Sequence, residues 1–464
     1  MLGLDSVPPE VLFGRMRSKL PNISKMYDRG LHGTLRSCNP PITVPAWAVL
    51  FTGKSPGSLG VYGFRHRKPG SYTEGYIVNS GHIREKQVWE TIGEKGLKSI
   101  VIGMPPGYPP KPSPNSAIVS CFLTPTAERP FSSPPELKKE ILDLTGGAYQ
   151  FDVVFRTEDR AELRKNLFEM TEKRFDVAEH FARTRPWDFF ALHEIGFDRL
   201  HHAFWKYYDV THPKYVPGNE FESVFDDYYS MADRRIGALL EIFGDDCVTL
   251  VASDHGSKGM KGAFCINEWL ASEGYLHYKN PPATVTEIEK ADVDWTRTRA
   301  WGWGGYYARI FFNVKGREGT GTVERADLDR AKKELKTKIE SIRDPTGRVM
   351  RNVVFEPAQV YPEVNGDAPD LMVYFDDLDW RSAGTVGHRS LYLSENDTGP
   401  DDSVHSMEGV LIMYNPRKDL GGRELSNLRL QDIGPTILEA FGYPLRQEPG
   451  LGSPVEALVE GAKP

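Results

Sequence analysis

Twice in the middle of this chain a long, charged, amphipathic stretch runs straight into a short apolar one. Residues 158–183 lead through Pro186 into D-F-F-A-L-H at 188–193, and residues 222–243 lead into C-V-T-L-V-A at 247–252. A stretch with an apolar stripe at helical spacing buries one side, whereas a short run apolar throughout buries both faces of a strand. Units of that kind assemble as a mainly parallel sheet with helices on either side. The same rhythm recurs elsewhere. Residues 88–94 have helical spacing and stop at Gly96, and K-S-I-V-I-G at 98–103 reads as a buried strand. Residues 116–122 read as a strand fenced by prolines, 409–413 as another, and 430–441 as a helix closed by Gly442 and Pro444. The expected fold is therefore α/β, a three-layer α/β/α sandwich around a mainly parallel central sheet.

Two regions break the pattern. Residues 104–157 are rich in Pro and Ser. Residues 277–390 hold W-G-W-G-G-Y at 301–306, a charged helix at 323–342 and a strand pair around 349–355 and 371–375. The second region reads as an insertion or cap, with residues 1–276 and 391–464 as the two parts of the core. The alternative is that it is the far half of one domain.

Composition narrows the class of function. Lys and Arg number 57 against 64 Asp and Glu, a formal charge of −7, which argues against gripping a nucleic-acid polymer by its phosphates. Cys38, Cys121, Cys247 and Cys265 are scattered singly, without the spacing of a thiolate metal site or a disulfide framework. No apolar run reaches the roughly 18–20 residues of a membrane span, and M-L-G-L-D lacks the layout of a secretory signal. The expectation is a cytoplasmic protein with no membrane partner.

In open α/β sheets ligands bind where strands end, so polar residues at those places are the candidates for chemistry. They are Asp5 after L-G-L, Thr43 in T-V-P-A-W, Asp198 and His202 in D-R-L-H-H, Asp254 and His255 in S-D-H-G, and His405. Only four residues precede Asp5, so either the sequence starts late or the first strand is an edge that frays. Asp198 and His202 are four apart and share one face of a helix, within reach of one ion, whereas His201 points elsewhere. Taken singly, such residues are more often solvated helix faces, turns or core histidines. Thr43 can be a helix N-cap with Pro45 in the first turn. A hydroxyl there also sits where backbone N–H groups favour a phosphate, and it needs a base or a metal to act as a nucleophile. Together the seven offer oxygen and nitrogen ligands without cysteine. Divided as Asp5/Thr43/Asp254/His255 and Asp198/His202/His405, they would hold two divalent ions, with zinc, manganese or iron suited better than calcium. Two such ions clamp the attacking and leaving oxygens of an in-line displacement at phosphorus.

The order and surroundings of these residues resemble the alkaline phosphatase superfamily, in particular the type I phosphodiesterase/nucleotide pyrophosphatase branch and its phosphohydrolase/phosphomutase-like relatives. The resemblance rests on G-L-D at Asp5, P-x-x-T-x-P-A-W from Pro40, T-G-K-x-P-G from Thr52, D-R-x-x-H at Asp198, S-D-H-G at Ser253, His405 before G-V-L-I-M, and D-I-G-P-T-I-L from Asp432. It spans about residues 1–450. It implies that Thr43 attacks phosphorus and forms a phospho-threonine intermediate, that the seven residues ligate two divalent metals, Zn²⁺ first with Mn²⁺ or Fe as alternatives, and that the substrate is a small phosphorylated, nucleotide-like molecule.

The resemblance has departures. Phe64 stands where the nucleotide pyrophosphatases carry an Asn for a phosphoryl oxygen. The Thr43 and Val44 backbone, Arg65, His66 or Arg67, and Lys258 or Lys261 are the candidates to replace it. The C-x-P-S-R of sulfatases is absent at C-N-P-P-I from Cys38. A diester needs an aromatic or apolar wall for its second substituent, which Trp301, Trp303, Tyr306 and Tyr307 could form, whereas a dianionic monoester wants extra cations. The reading leans to a phosphodiesterase. The alternatives are a phosphomonoesterase or phosphonate hydrolase on the same site, and a binding scaffold that has lost its chemistry.

Overall fold

The apolar runs become strands that send alternate side chains into two separate cores. In the computed structural model of the chain, which describes residues 1–443, 448 and 450–463, Ile100, Ile102, Phe190, Leu192, Val410 and Ile412 enter one core. Val101, Phe189, Ala191, Leu411 and Met413 enter the other. This period-two division is what a sheet covered on both faces requires. The main strands are β1 (Leu2–Leu4), β2 (Leu31–Arg36), β3 (Ser99–Ile102), β4 (Ser116–Val119), β5 (Phe189–Glu194), β6 (Thr249–Ala252) and β7 (Glu408–Tyr414). Their order is β2-β7-β6-β1-β5-β3-β4, with short strands Arg423–Glu424 and Leu428–Arg429 beside β2 and Ser132–Ser133 beside β4.

Most of the sheet is parallel, as the spacing suggests. The pairs β1/β5, β1/β6, β5/β3 and β3/β4 all run the same way. The sheet is nevertheless mixed, because β7 runs antiparallel to both of its neighbours. Strand β1 is not a fraying edge. It is buried between β5 and β6, with Leu4 opposite Glu194 and Gly3 opposite Ala252, so a few residues suffice once both sides are paired.

One face carries α2 (Arg160–Thr184), α3 (Gly196–Tyr208) and α4 (Val224–Phe243), whose apolar stripes fill the first core. Helix α2 begins at Asp159, whose side chain accepts from the Glu162 N–H. The other face carries α1 (Thr43–Thr52) and α5 (Ile433–Ala440), followed by Gly442; Pro444 lies outside the described residues. Helix α1 is buried on every side, and its Trp47 lies against Gly3, where an added Cβ would come within 2.5 Å of the indole.

The chain forms two compact units: residues 1–63, 78–257 and 405–464 carry the large sheet, and residues 64–77 with 258–404 form the second. The second unit is thus wider than the 277–390 insertion read from sequence and takes in the hairpin of Arg65–Arg67 with Gly75–Ile77. It contains an antiparallel sheet ordered Ala300–Trp303, Ala308–Phe312, Leu371–Tyr374, Val353–Phe355, and the helix Leu328–Glu340. Trp301, Trp303 and Phe311 are core residues of that unit. The four cysteines are free thiols. Among the described residues no helix is long and apolar enough to cross a membrane.

Candidate active site

At the carboxyl ends of β1, β5 and β6 the chain leaves the sheet as Asp5, as the turn into α3, and as Ser253-Asp254-His255. Because these strands are adjacent, their ends bring polar residues together without help from the rest of the fold. Ser6 takes a left-handed conformation (φ 69°), and its N–H reaches Asp254 Oδ1 at 3.3 Å. The Ser253 hydroxyl donates to the His255 carbonyl at 2.5 Å and accepts from the Val7 N–H at 2.8 Å, tying the two strand ends.

Thr43 is the first residue of α1, and the N-cap is Ile42. The N-cap role expected for Thr43 is therefore not its role: Ile42 stands at that position, with a side chain that makes no capping hydrogen bond. Thr43 Oγ1 instead lies 3.5 Å from Asp5 Oδ1 and 3.3 Å from His255 Nε2. His255 Nε2 is also 3.6 Å from Asp5 Oδ1 and 3.3 Å from Asp254 Oδ2. Asp5, Asp254 and His255 thus present three ligand atoms to one point, all buried.

Helical spacing on α3 brings Asp198 and His202 together, and His405 arrives from the strand before β7. Asp198 Oδ1 is 3.3 Å from His202 Nε2 and 3.5 Å from His405 Nε2, and the two Nε2 atoms are 3.2 Å apart. This is a second buried three-ligand group. The two groups abut, since the rings of His255 and His405 stack with centroids 3.8 Å apart. His201 points away, with Nδ1 on the Ser6 carbonyl and Nε2 on the Tyr229 hydroxyl.

Three observations say that these groups suit divalent cations. First, Asp198 Oδ1 and Asp254 Oδ2 are buried polar atoms with no hydrogen-bond partner, although burial of such atoms ordinarily demands one. Second, His255 Nδ1 donates to the Gly256 carbonyl at 3.1 Å and His405 Nδ1 to the Pro41 carbonyl at 2.8 Å, which leaves the lone pair on Nε2, the atom turned inward. Third, the ionic balance is strained. Burial and the neighbouring Asp5 charge push the Asp254 carboxyl well above the usual carboxylate range. Burial, aided by His405, lowers His255 to about 3, and burial lowers His405 to about 4, so both imidazoles are neutral at neutral pH. Burial would raise Asp198, but His202, His405 and Arg199 outweigh it and hold that carboxylate ionised. Imidazole and carboxylate donors suit zinc, manganese or iron.

Several supporting residues escaped the sequence reading. His193 Nε2 donates to Asp5 Oδ2 at 2.7 Å, and Trp47 Nε1 donates to the same oxygen at 2.9 Å. Arg199 holds Asp198 Oδ2 at 2.6 Å and is itself held by Asp152. The only sign of His193 in the sequence is that it ends an apolar strand, the same signal that marks Asp5 and Asp254.

Arg65, Lys258 and Trp303, the substrate-binding candidates, belong to the second unit and have partners there. Arg65 pairs with Glu289 at 3.1 Å and lies over the Trp303 ring, which is buried. Lys258 pairs with Asp379 at 2.6 Å, and Lys261 with Asp379 and Asp376. His66 and Arg67 are buried, the latter between Glu318 and Asp367. Tyr307 packs against Tyr374, and Arg381 lies over Tyr306.

Residues 1–401 match the sequence family described as type I phosphodiesterase / nucleotide pyrophosphatase. The fold is similar to that of phosphonoacetate hydrolase from Sinorhizobium meliloti 1021 in complex with phosphonoformate, at a TM-score of 0.59 and 16% identity over 93% of each chain. It is also similar to human ectonucleotide pyrophosphatase/phosphodiesterase 5, at a TM-score of 0.57 and 13% identity over 97% of this chain and 96% of that one. The murine form, solved as an inactive threonine-to-alanine variant in complex with AMP, scores 0.56 at 13% identity with the same coverage. No curated protein sequence matches the chain.

Proposed function

The chain belongs to the type I phosphodiesterase/nucleotide pyrophosphatase family of phosphoester hydrolases, and on that footing we propose that it is a two-metal phosphodiesterase of small, nucleotide-like phosphodiesters with Thr43 as its nucleophile. The observation that carries the reading is the placement of Thr43 Oγ1 beside Asp5 and His255, on the first residue of a helix whose N-cap is Ile42. Asp5, Thr43, Asp254 and His255 would hold one cation, and Asp198, His202 and His405 the other. When bound, divalent cations lower the pKa of the hydroxyl and neutralise charge on the phosphoryl oxygens.

The residues of the chain do the rest. Thr43 Oγ1 attacks phosphorus in line with the ester oxygen that leaves; the new O–P bond forms, the old one breaks, and the proton given up by the Thr43 hydroxyl is balanced by the one taken up by the leaving alcohol. Water then displaces Thr43 from the opposite side, which returns the hydroxyl and frees the phosphomonoester. Val44 is the second residue of α1, where helix N–H groups have no partner within the helix, and its N–H is the candidate donor for a non-bridging oxygen. That a murine relative is inactive when one threonine becomes alanine supports a threonine nucleophile here. Arg65, Lys258 and Lys261 each already have a carboxylate partner, so none is a spare cation for a dianionic monoester, which favours the diester.

The test is a side-by-side rate comparison on paired aryl phosphate mono- and diesters and an aryl phosphonate, after reconstitution with Zn²⁺ and with Mn²⁺. Faster diester cleavage supports the proposal. Preference for the monoester or phosphonate moves the assignment to those classes, and no turnover with two cations bound leaves a scaffold.

A further inference from the structure

The carboxylate of Asp198 is divided between two tasks. Its Oδ1 is the buried, unpartnered atom that converges with His202 and His405, and its Oδ2 accepts from Arg199 Nη1 at 2.6 Å. Arg199 is next in the chain and nearly buried, and it is gripped in turn. Its Nε and Nη2 donate to the two oxygens of Asp152 at 2.7 and 2.6 Å, the bidentate fork that fixes a guanidinium most firmly. Phe155 and Phe122 lie against the guanidinium at 4.4 and 5.3 Å. The backbone beside Asp152 is anchored as well, since Arg174 of α2 donates to the Phe151 carbonyl at 2.9 Å. Arg174 also pairs at 3.0 Å with Glu194, whose carboxylate caps the first N–H of α3. The Pro- and Ser-rich region that broke the sequence pattern therefore ends in a strut against the helix that carries Asp198 and His202.

We propose that Asp152, acting through Arg199, is a positioning residue that makes Asp198 present a single oxygen to the cation of the Asp198/His202/His405 group and sets that cation's affinity. The charges explain why Arg199 needs Asp152 beside it. Arg199 alone would repel a cation and draw the carboxylate away, and the Asp152 charge offsets it while its fork keeps the guanidinium on Oδ2. Outer partners of this kind change metal affinity by about 10–100-fold. The inference rests on the two-cation reading above.

The signs of two substitutions separate it from simple packing. Wild type, D152N and R199M are dialysed against graded Co²⁺, with cation content measured by elemental analysis, coordination by visible absorption and folding by melting temperature. Wild type is expected to hold two cations per chain. D152N should bind one of them at least about tenfold more weakly and the other normally. R199M should bind both at least as tightly as wild type, with weaker visible absorption because Asp198 can now use both oxygens and raise the coordination number. D152E, which keeps the charge, should recover part of the lost affinity. Normal binding of both cations by D152N overturns the inference while leaving the two-cation reading intact, and so does equal weakening in D152N and R199M. Fewer than two cations on wild type overturns both. Should D152N not fold, R199M decides the question alone, with weakened binding as the contrary result.

Discussion

His193 Nε2 lies 2.7 Å from Asp5 Oδ2 and donates to it, so that with the Trp47 indole on the same oxygen only Oδ1 of Asp5 is turned toward Thr43 and His255. Replacing His193 by alanine is expected to loosen Asp5 and weaken cation binding at that group by about 10–100-fold. Equilibrium dialysis with elemental analysis measures it, and unchanged affinity would show that Trp47 alone suffices.

Gly3 of β1 lies against Trp47 of α1, and a methyl group there would meet the Trp47 ring at 2.5 Å. Gly3→Ala should cost about 1–3 kcal/mol by overpacking. It should also lower turnover more than the stability loss accounts for, because pushing Trp47 moves the helix that begins with Thr43. Melting curves and rates at a temperature where the variant is folded test both parts; wild-type turnover would mean that the register between Thr43 and Asp5 is not critical.

Thr43→Ala removes the hydroxyl without removing a cap. Activity should fall by about three orders of magnitude or more, while cation content changes little and melting temperature stays close to that of wild type. Thr43→Ser should retain measurable activity. A Thr43→Ala protein that still turns over at the wild-type rate would refute the assignment.

Acid should destabilise the metal-free protein through three buried imidazoles. His201 and His255 are lowered to about 3 and His405 to about 4 from 6.5, so below 6.5 the unfolded chain takes up protons that the folded chain refuses; Asp254, raised by burial and Asp5, works in the opposite sense but is one group against three. The stability they contribute is complete above about pH 6.5 and is lost progressively as the pH falls toward 4. Melting temperatures in chelator between pH 8 and pH 4 read this directly, and a flat profile would contradict it.

Much of this site is legible in the chain because its chemistry sits at strand ends. Asp5 and Asp254 each close an apolar run, and Asp198 and His202 share a helix face, so spacing alone nominates them. His193 closes an apolar run too, but inside D-F-F-A-L-H a lone histidine looks like core, and only the pairing of β1 with β5 puts it on Asp5. Asp152 lies in a segment with no periodicity, so no pattern links it to Arg199 47 residues later. Thr43 reads as an N-cap because the helix starts there, yet one residue of shift turns its hydroxyl from the helix amides to Asp5. The reversal of β7 is equally hidden, since direction leaves no trace in an apolar run that is buried on both faces.

The stereochemical course at phosphorus tests the central claim most directly. An aryl phosphodiester made chiral at phosphorus is hydrolysed by the reconstituted enzyme in isotopically labelled water. Attack by Thr43 followed by attack of water is two in-line displacements, so the configuration should be retained in the product. Net inversion would mean that water strikes phosphorus directly, and would remove Thr43 from the role of nucleophile.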